Sequence, residues 1–512
     1  MCKFNLIIVY VLSFWVLNVN ASISAGTAQY TAKLYTEVLG RIPDQGGWNN
    51  SMTFWQSSAC NKTKLKEQGM AVFNSYEFNA LNLDNSAKVL ILYRAIMLRE
   101  PDQNGYNYYL SLLNNNGANA SQIASSFYES GEFAQRISSI CQNSGRGWVA
   151  SSPLNLADPN SPYFSGGTGE ELQVLLNNAA QGSTVFLAKK AVIRVHQPIV
   201  VPSGVTLTTF GLPSTQYYTS MARIVRNSKY FAGQGFELIK MSGSAKVTNI
   251  WIDGRRSDFG FLKDNINVRG YGGNGSSFSG NKVSDTAGWT SFQIWGTAEG
   301  FACNSSTVSS NMITMYGSSH YNNEWADGLS ISCENTDVQN NSILDATDVA
   351  IVVYRSGNAT QNSKVKYNKI LNSGLSAYGG LVVDPLQDYL GSGNYNFTGT
   401  EIFSNTIWSS PSVHFDIVLS VGTRPWFGVN SDDGFGAKVY NNTSGSSTVN
   451  SNNGIVVSGM HSAYVQSNIL NNNLQNTILC PMANVIADVS SGNASGNIQS
   501  YQDILIQGCM GH

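Results

Sequence analysis

Between residues 235 and 475 the apolar positions come in runs of only a few residues, broken by Asn, Gly and Ser, and the runs recur. Seven asparagines mark the recurrence. Asn281, Asn311, Asn341, Asn368, Asn405, Asn442 and Asn468 each follow an apolar or aromatic residue by three positions and precede a small or apolar one by two. The set reads Phe278/Asn281/Val283, Val308/Asn311/Ile313, Val338/Asn341/Ile343, Val365/Asn368/Ile370, Ile402/Asn405/Ile407, Val439/Asn442/Ser444 and Val465/Asn468/Leu470. An earlier Val247/Ile250/Ile252 lacks the asparagine. Successive asparagines lie 30, 30, 27, 37, 37 and 26 residues apart, a period that signals a solenoid. One such unit cannot bury its apolar face alone. Stacking solves this, and an asparagine at the same bend of every coil can pass an amide hydrogen bond to the next.

Two further strands fit each period, clearest at Leu329/Ile331, Ile351/Val353, Leu381/Val383, Ile417/Leu419 and Ile455/Val457. Their alternation points one set of side chains inward and the next outward. A helical repeat needs apolar residues three and four apart over longer stretches than these runs provide. The pattern therefore predicts a parallel β-helix. With these residues the chain resembles the right-handed parallel β-helix superfamily of pectate lyases and polygalacturonases, over roughly residues 160 to 500. Thr168 to Ala180 predicts a short helix capping the first coil, with Thr168 as N-cap, Glu170 and Glu171 in its first turn, and Leu172, Leu175, Leu176 and Ala179 on one face.

Residues 22 to 148 predict a separate all-α unit, followed by a linker over 149 to 165 and the β-helix over 166 to 512. The unit is duplicated. Leu34-Tyr35, Arg41, Pro43-Asp44-Gln45 and Gly47 recur 58 residues on as Leu92-Tyr93, Arg99, Pro101-Asp102-Gln103 and Gly105, with Trp48 answered by Tyr106. Each half predicts a helix stopping near Gly40 or Leu98, a Pro-Asp turn, and a second helix beginning near Trp48 or Tyr106. The halves end in Phe73 to Phe78 and Phe127 to Phe133. This unit resembles the domain of unknown function DUF4214, which implies a bacterial, extracellular setting and carries no established chemistry. It is expected to serve in attachment, targeting or glycan contact.

The first 21 residues read as a signal peptide: Lys3, an apolar stretch from Leu6 to Leu17, then Val19-x-Ala21 as a cleavage site. The apolar core is too short to span a bilayer, and no later segment predicts an anchor. The mature chain is expected to be secreted or displayed at the cell surface. Removing Cys2 leaves six cysteines, an even number that suggests disulfides. Neighbourhood favours Cys60 with Cys141, Cys303 with Cys333 and Cys480 with Cys509, one of the 15 pairings that six cysteines allow. Charged residues are only 12% of the chain and the net charge is −2, so the basic footprint of a nucleic-acid binder is missing. The 24 Tyr and 10 Trp on a neutral polar background suit a polysaccharide or cell-surface glycan.

Acids one repeat apart in sequence become neighbours on adjacent coils, about 4.8 Å apart. The densest region is Glu324-Trp325-Ala326-Asp327-Gly328, followed by Asp345-Ala346-Thr347-Asp348 and Tyr354-Arg355. Taking Ile351/Val353, Leu381/Val383 and Ile417/Leu419 as inward puts Asp348, Tyr354, Asp384 and Asp416 outward on one groove. Polygalacturonases carry Asn-Thr-Asp-Gly with Asp-Asp some twenty residues later. Here Asp327-Gly328 and Thr347-Asp348 are similar, whereas the second aspartate, a Gly-His-Gly and an Arg-Ile-Lys are absent. Glycoside hydrolysis needs one protonated carboxyl and one carboxylate flanking the scissile bond. Asp327 with Asp345 or Asp348 is the candidate pair, and Glu324, Trp325, Tyr354, Arg355, Asp384, Asp416 and Trp426 are candidate sugar contacts. Elimination at a uronic acid is the alternative, drawing on Arg355, Tyr354, Lys364, Lys366, Lys369, His414, Arg424 or His461. A non-catalytic glycan-binding scaffold is a third. No metal site or cofactor is expected beyond an optional calcium ion.

Overall fold

The computed structural model describes residues 23–115, 117–142, 149, 151–212, 218–229, 237–296, 303–315, 324–354, 362–384, 395–422, 434–458, 460–471, 477–480, 486–489 and 498–499. The signal peptide, Cys509, Arg355 and Trp426 lie outside these residues. Among the described residues three long sheets of nine, eleven and twelve strands make up the solenoid, and their strand pairs are parallel. The chain visits the sheets in turn. Ser277–Ser279 lies in the twelve-stranded sheet, Lys282–Ser284 in the nine-stranded and Thr290–Trp295 in the eleven-stranded, and the next coil repeats the circuit. The fold is a parallel β-helix.

The asparagines form one continuous ladder. The side-chain N–H of Asn281 donates to Asn311 Oδ1 at 3.2 Å, and Asn311 in turn to Asn341 at 2.9 Å. The run continues through Asn368, Asn405 and Asn442 to Asn468. The second amide proton of each reaches a carbonyl one coil back, as Asn311 does to Phe278 O at 2.9 Å. From Asn311 onward each carboxamide oxygen also accepts the backbone N–H of the preceding ladder residue, and that of Asn281 accepts the Ile250 N–H. From Asn311 to Asn442 all four hydrogen-bonding positions of the amide are thus filled, which is the condition for burying it. The residue before each ladder asparagine is left-handed, from Gly280 and Ser310 to Asn441 and Ser467. That conformation turns the strand sharply from one sheet into the next.

Inside the coils Val308, Val338, Val365 and Ile402 stack in the twelve-stranded sheet and Ile313, Ile343, Ile370 and Ile407 in the nine-stranded one, all within a single core. The first coil is closed by the helix Gly169–Asn177. Thr168 and Glu171 make a reciprocal capping box, and Leu172 and Leu176 enter the core. Leu175, expected on the same face, is instead 42% exposed.

The helical region opens with Ala25–Val38 and Gln45–Gln56, and its second half repeats the arrangement in Asn85–Leu92 and Gln103–Asn115. The duplicated motif has a shared mechanism. Asp44 and Asp102 cap the second helix of each half through the N–H of Gly47 and Gly105, at 2.8 and 2.9 Å. The helices therefore start three residues earlier than the aromatic residues suggested. Arg41 lies over the Tyr35 ring and binds Glu77 with Nε and Nη2, and Arg99 repeats this with Tyr93 and Glu132. Cys60–Cys141 ties the region together, and Cys303–Cys333 joins two coils.

This region lies against the outer face of the nine-stranded sheet. Leu344, Leu371 and Trp408 project from the coils into the helical core. Beside them Trp251 is bracketed by Arg94, Arg223 and Lys282 at 4.6, 4.0 and 3.9 Å from its ring centre. Glu100 binds both Arg94 and Arg223, and Arg223 also binds Asp253. Among the described residues no helix is long and apolar enough to cross a membrane.

Candidate active site

The outer face of the eleven-stranded sheet gathers the carboxylates. Its strands do not alternate strictly at their starts. Ala350 and Ile351 both enter the core, as do Val418 and Leu419, and a side chain on Gly328 or Gly380 would also meet core atoms. Two successive inward residues shift the parity, so the residue just before them points outward. Ile417, taken as inward from the sequence, accordingly stands outside the core cluster. Asp327 is outward for this reason.

Asp327 is only 8% exposed. Its carboxylate accepts the Ser330 hydroxyl at 2.7 Å and the Val349 N–H, on the next coil, at 3.1 Å. Asp348 immediately precedes Val349, and its own N–H donates to Ala326 O at 3.1 Å. The two acids therefore sit on neighbouring coils at almost the same level. Burial pushes Asp327 up to about 6, against the lowering effect of its two hydrogen bonds. Asp348 is held well above the usual carboxylate range, first by desolvation, then by the charge of Asp327 and then by that of Asp384. Like charges this close cannot both ionise cheaply.

Around the pair, Trp325 meets Tyr378 edge to face at 5.5 Å. The Tyr378 hydroxyl is raised by burial and then by Asp348 and Asp416. Asp416 accepts Asn452 Nδ2 at 2.8 Å and stands 3.4 Å from His414 Nε2. Glu324 is about half exposed, 3.6 Å from Arg256. Asp384, 5% exposed, pairs in register with Tyr354.

Two sequence expectations are corrected. Asp345 lies outside the groove, in a left-handed bend at the end of Ser342–Leu344 in the nine-stranded sheet. It accepts the N–H groups of Ser373 and Gly374 at 2.6 and 2.9 Å and Gln29 Nε2 of the helical region at 3.1 Å. Its carboxylate ties two bends together under the first helix. Tyr354, expected to offer a ring to sugars, is 1% exposed and packed with Val349, Val352 and Val382.

Sequence reasoning missed a second outward cluster, on earlier coils of the same sheet. Arg269 stacks on Trp295 at 4.0 Å and donates to Glu237 at 2.6 Å and Gln293 at 2.9 Å. Tyr271 donates to the same Glu237. The alternation Arg269/Tyr271 and Gln293/Trp295 was the available signal. Among the described residues no group of three or more His, Cys, Asp or Glu side chains is arranged to hold a metal.

Residues 69–137 match the family model of the domain of unknown function DUF4214. No curated protein matches the chain. Among solved structures the chain is similar to a double mutant of the tailspike protein of E. coli bacteriophage HK620 in complex with pentasaccharide. The identity is 12% and the TM-score 0.42, over 69% of this chain and 65% of that one. It is also similar to the catalytic unit of a GH87 alpha-1,3-glucanase from Streptomyces thermodiastaticus, at 15% identity and TM-score 0.33, over 69% and 71%. The chain spans less than two thirds of the tailspike's length.

Proposed function

We propose that this chain is an exported protein that hydrolyses a glycosidic bond of a polysaccharide, with Asp348 as general acid and Asp327 as the charged partner. The pair of outward carboxyls with upward-shifted titration carries the reading. Asp327 accepts two hydrogen bonds that favour its ionised form, whereas Asp348 is held well above the usual carboxylate range, first by burial and then by the charges of Asp327 and Asp384. Two carboxyls whose surroundings push their titrations apart are what acid–base cleavage of an acetal requires. Asp348 donates to the leaving oxygen, and Asp327 activates water or attacks the anomeric carbon. Trp325, Tyr378 and Asp416 border the pair and would contact flanking sugars.

The test is a screen of the full mature chain, with Asp327→Asn and Asp348→Asn, against neutral and uronic polysaccharides. Reducing ends and absorbance of unsaturated products are both read. Hydrolysis predicts reducing ends without new absorbance, lost by a factor of about 10² to 10⁴ in either variant. Absorbing products would transfer the reading to elimination. Glycan retention without cleavage, equal in all three proteins, would leave a binding scaffold.

A further inference from the structure

The two halves of the helical region carry the same pair of side-chain amides, and only one pair is in use. In the first half Gln45 and Asn49 lie one turn apart on the helix Gln45–Gln56. They grip a turn of the β-helix at Thr443-Ser444-Gly445-Ser446-Ser447. Gln45 Nε2 donates to Ser444 O, and its Oε1 accepts the Ser446 N–H at 3.1 Å. Asn49 Nδ2 donates to Ser446 O at 3.1 Å, and its Oδ1 accepts the Ser447 hydroxyl at 2.9 Å. Three of these four contacts are to backbone groups. They read the shape of a tight turn and need small residues there, because a side chain on Gly445 would collide with Gln45.

In the second half Gln103 and Asn107 hold the corresponding places, 58 residues on. The frame is the same: an Asp cap, a glycine against a tyrosine ring, and an arginine bound to a glutamate. Here the pair faces solvent. Both residues are exposed, and Gln103 Nε2 donates to Asn107 Oδ1 at 3.0 Å. That contact holds the two amides together and leaves the remaining donors and acceptors to water. The next residue is Tyr108, 59% exposed, where the first half has Asn50. The exposed ring, one position on from Asn107, offers apolar contact area that Asn50 does not.

We propose that Gln103, Asn107 and Tyr108 form a docking site for a serine- and glycine-rich turn of another protein chain, bound as Gln45 and Asn49 bind residues 443–447. The duplication then has a division of labour. One repeat fastens the region to its own β-helix, and the other presents the same recognition outward. This does not rest on the hydrolase reading and survives its failure.

The probe is a cyclised peptide with the sequence of residues 442–449, titrated into the full mature chain labelled with nitrogen-15 in its Gln and Asn side chains. The Gln103 and Asn107 amide signals, assigned from Gln103→Ala and Asn107→Ala, should move and saturate with a dissociation constant on the order of 1 mM, as expected for a few exposed hydrogen bonds. The Gln45 and Asn49 signals should stay still, because their turn is already seated. The double variant should lose the response while keeping its melting temperature, since both positions are exposed and alanine favours helix. The proposal is overturned by the absence of a saturating shift, or by a response that persists in the double variant. It is equally overturned if maltohexaose moves these signals and the peptide does not.

Discussion

Lys282 Nζ meets Glu37 Oε1 at 2.9 Å, with both side chains at most 3% exposed, so an ion pair between the nine-stranded sheet and the first helix is sealed from water. Burial lowers the lysine's affinity for its proton, and the glutamate's charge opposes that fall. Removing one partner strands the other in a desolvated site. Glu37→Gln or Lys282→Met alone should cost roughly 3 to 5 kcal/mol, whereas the double substitution should cost far less. Denaturant unfolding of the four proteins as a double-mutant cycle measures this. A loss in the double variant equal to the sum of the two single losses would show that the pair is not coupled.

The ladder makes a sharper demand. Replacing Asn311 with alanine removes the acceptor of both Asn281 groups and the donor to Phe278 O and Asn341. Unsatisfied buried groups of this kind should destabilise the chain by on the order of 3 kcal/mol. Asn311→Asp should be at least as damaging near neutral pH, because a carboxylate cannot donate to Asn341. Thermal melting of both variants decides it. A change within the error of the melt would mean that the ladder contributes nothing.

The disulfide Cys60–Cys141 closes a loop with a sequence separation of 81. Cys60→Ser with Cys141→Ser should lower stability by about 4 kcal/mol if the unfolded chain gains the corresponding freedom. The expected signature is a lower denaturation midpoint than the wild type's without reductant, and a difference between the two proteins that disappears when reductant opens Cys60–Cys141 in the wild type and Cys303–Cys333 in both.

The ladder and the capping helix were legible because each rests on a local pattern: an asparagine every 26 to 37 residues, or Thr168 three before Glu171. Asp345 was not. Sequence order says that Asp345 and Asp348 lie close along the chain but not that a left-handed bend and a change of sheet separate them. Tyr354 was misjudged for a related reason. Parity sent it outward, yet Val349, Val352 and Val382 on that outer face bury it. The docking of the helical region was also invisible, since Lys282, Trp251 and Asp345 meet partners some 150 to more than 300 residues away, as with Gln29 and Asp345. Charged residues in a solenoid normally read as solvated edges.

Asp327 sets a pH test of the candidate site that needs no substrate. Its carboxyl titrates near 6 in the folded chain and near 3.9 when unfolded. The folded state therefore holds this proton more tightly. The stabilisation is fully present below the unfolded value and is lost as pH rises through about 6. Asp348 shifts in the same direction, through burial and the charges of Asp327 and Asp384. Glu100, held near 2 by the balance of burial against Arg94 and Arg223, changes state well below this window. Asp327→Asn keeps an acceptor for Ser330 and Val349 but never charges. The variant should therefore match the wild type near pH 4 and melt progressively higher than it between roughly pH 4 and 7, while losing hydrolysis throughout. Stability gained together with activity lost is the mark of a site whose charge is held against burial for chemistry. Melting curves that run parallel across the whole range would show that Asp327 is not strained, and would remove the electrostatic basis for its pairing with Asp348.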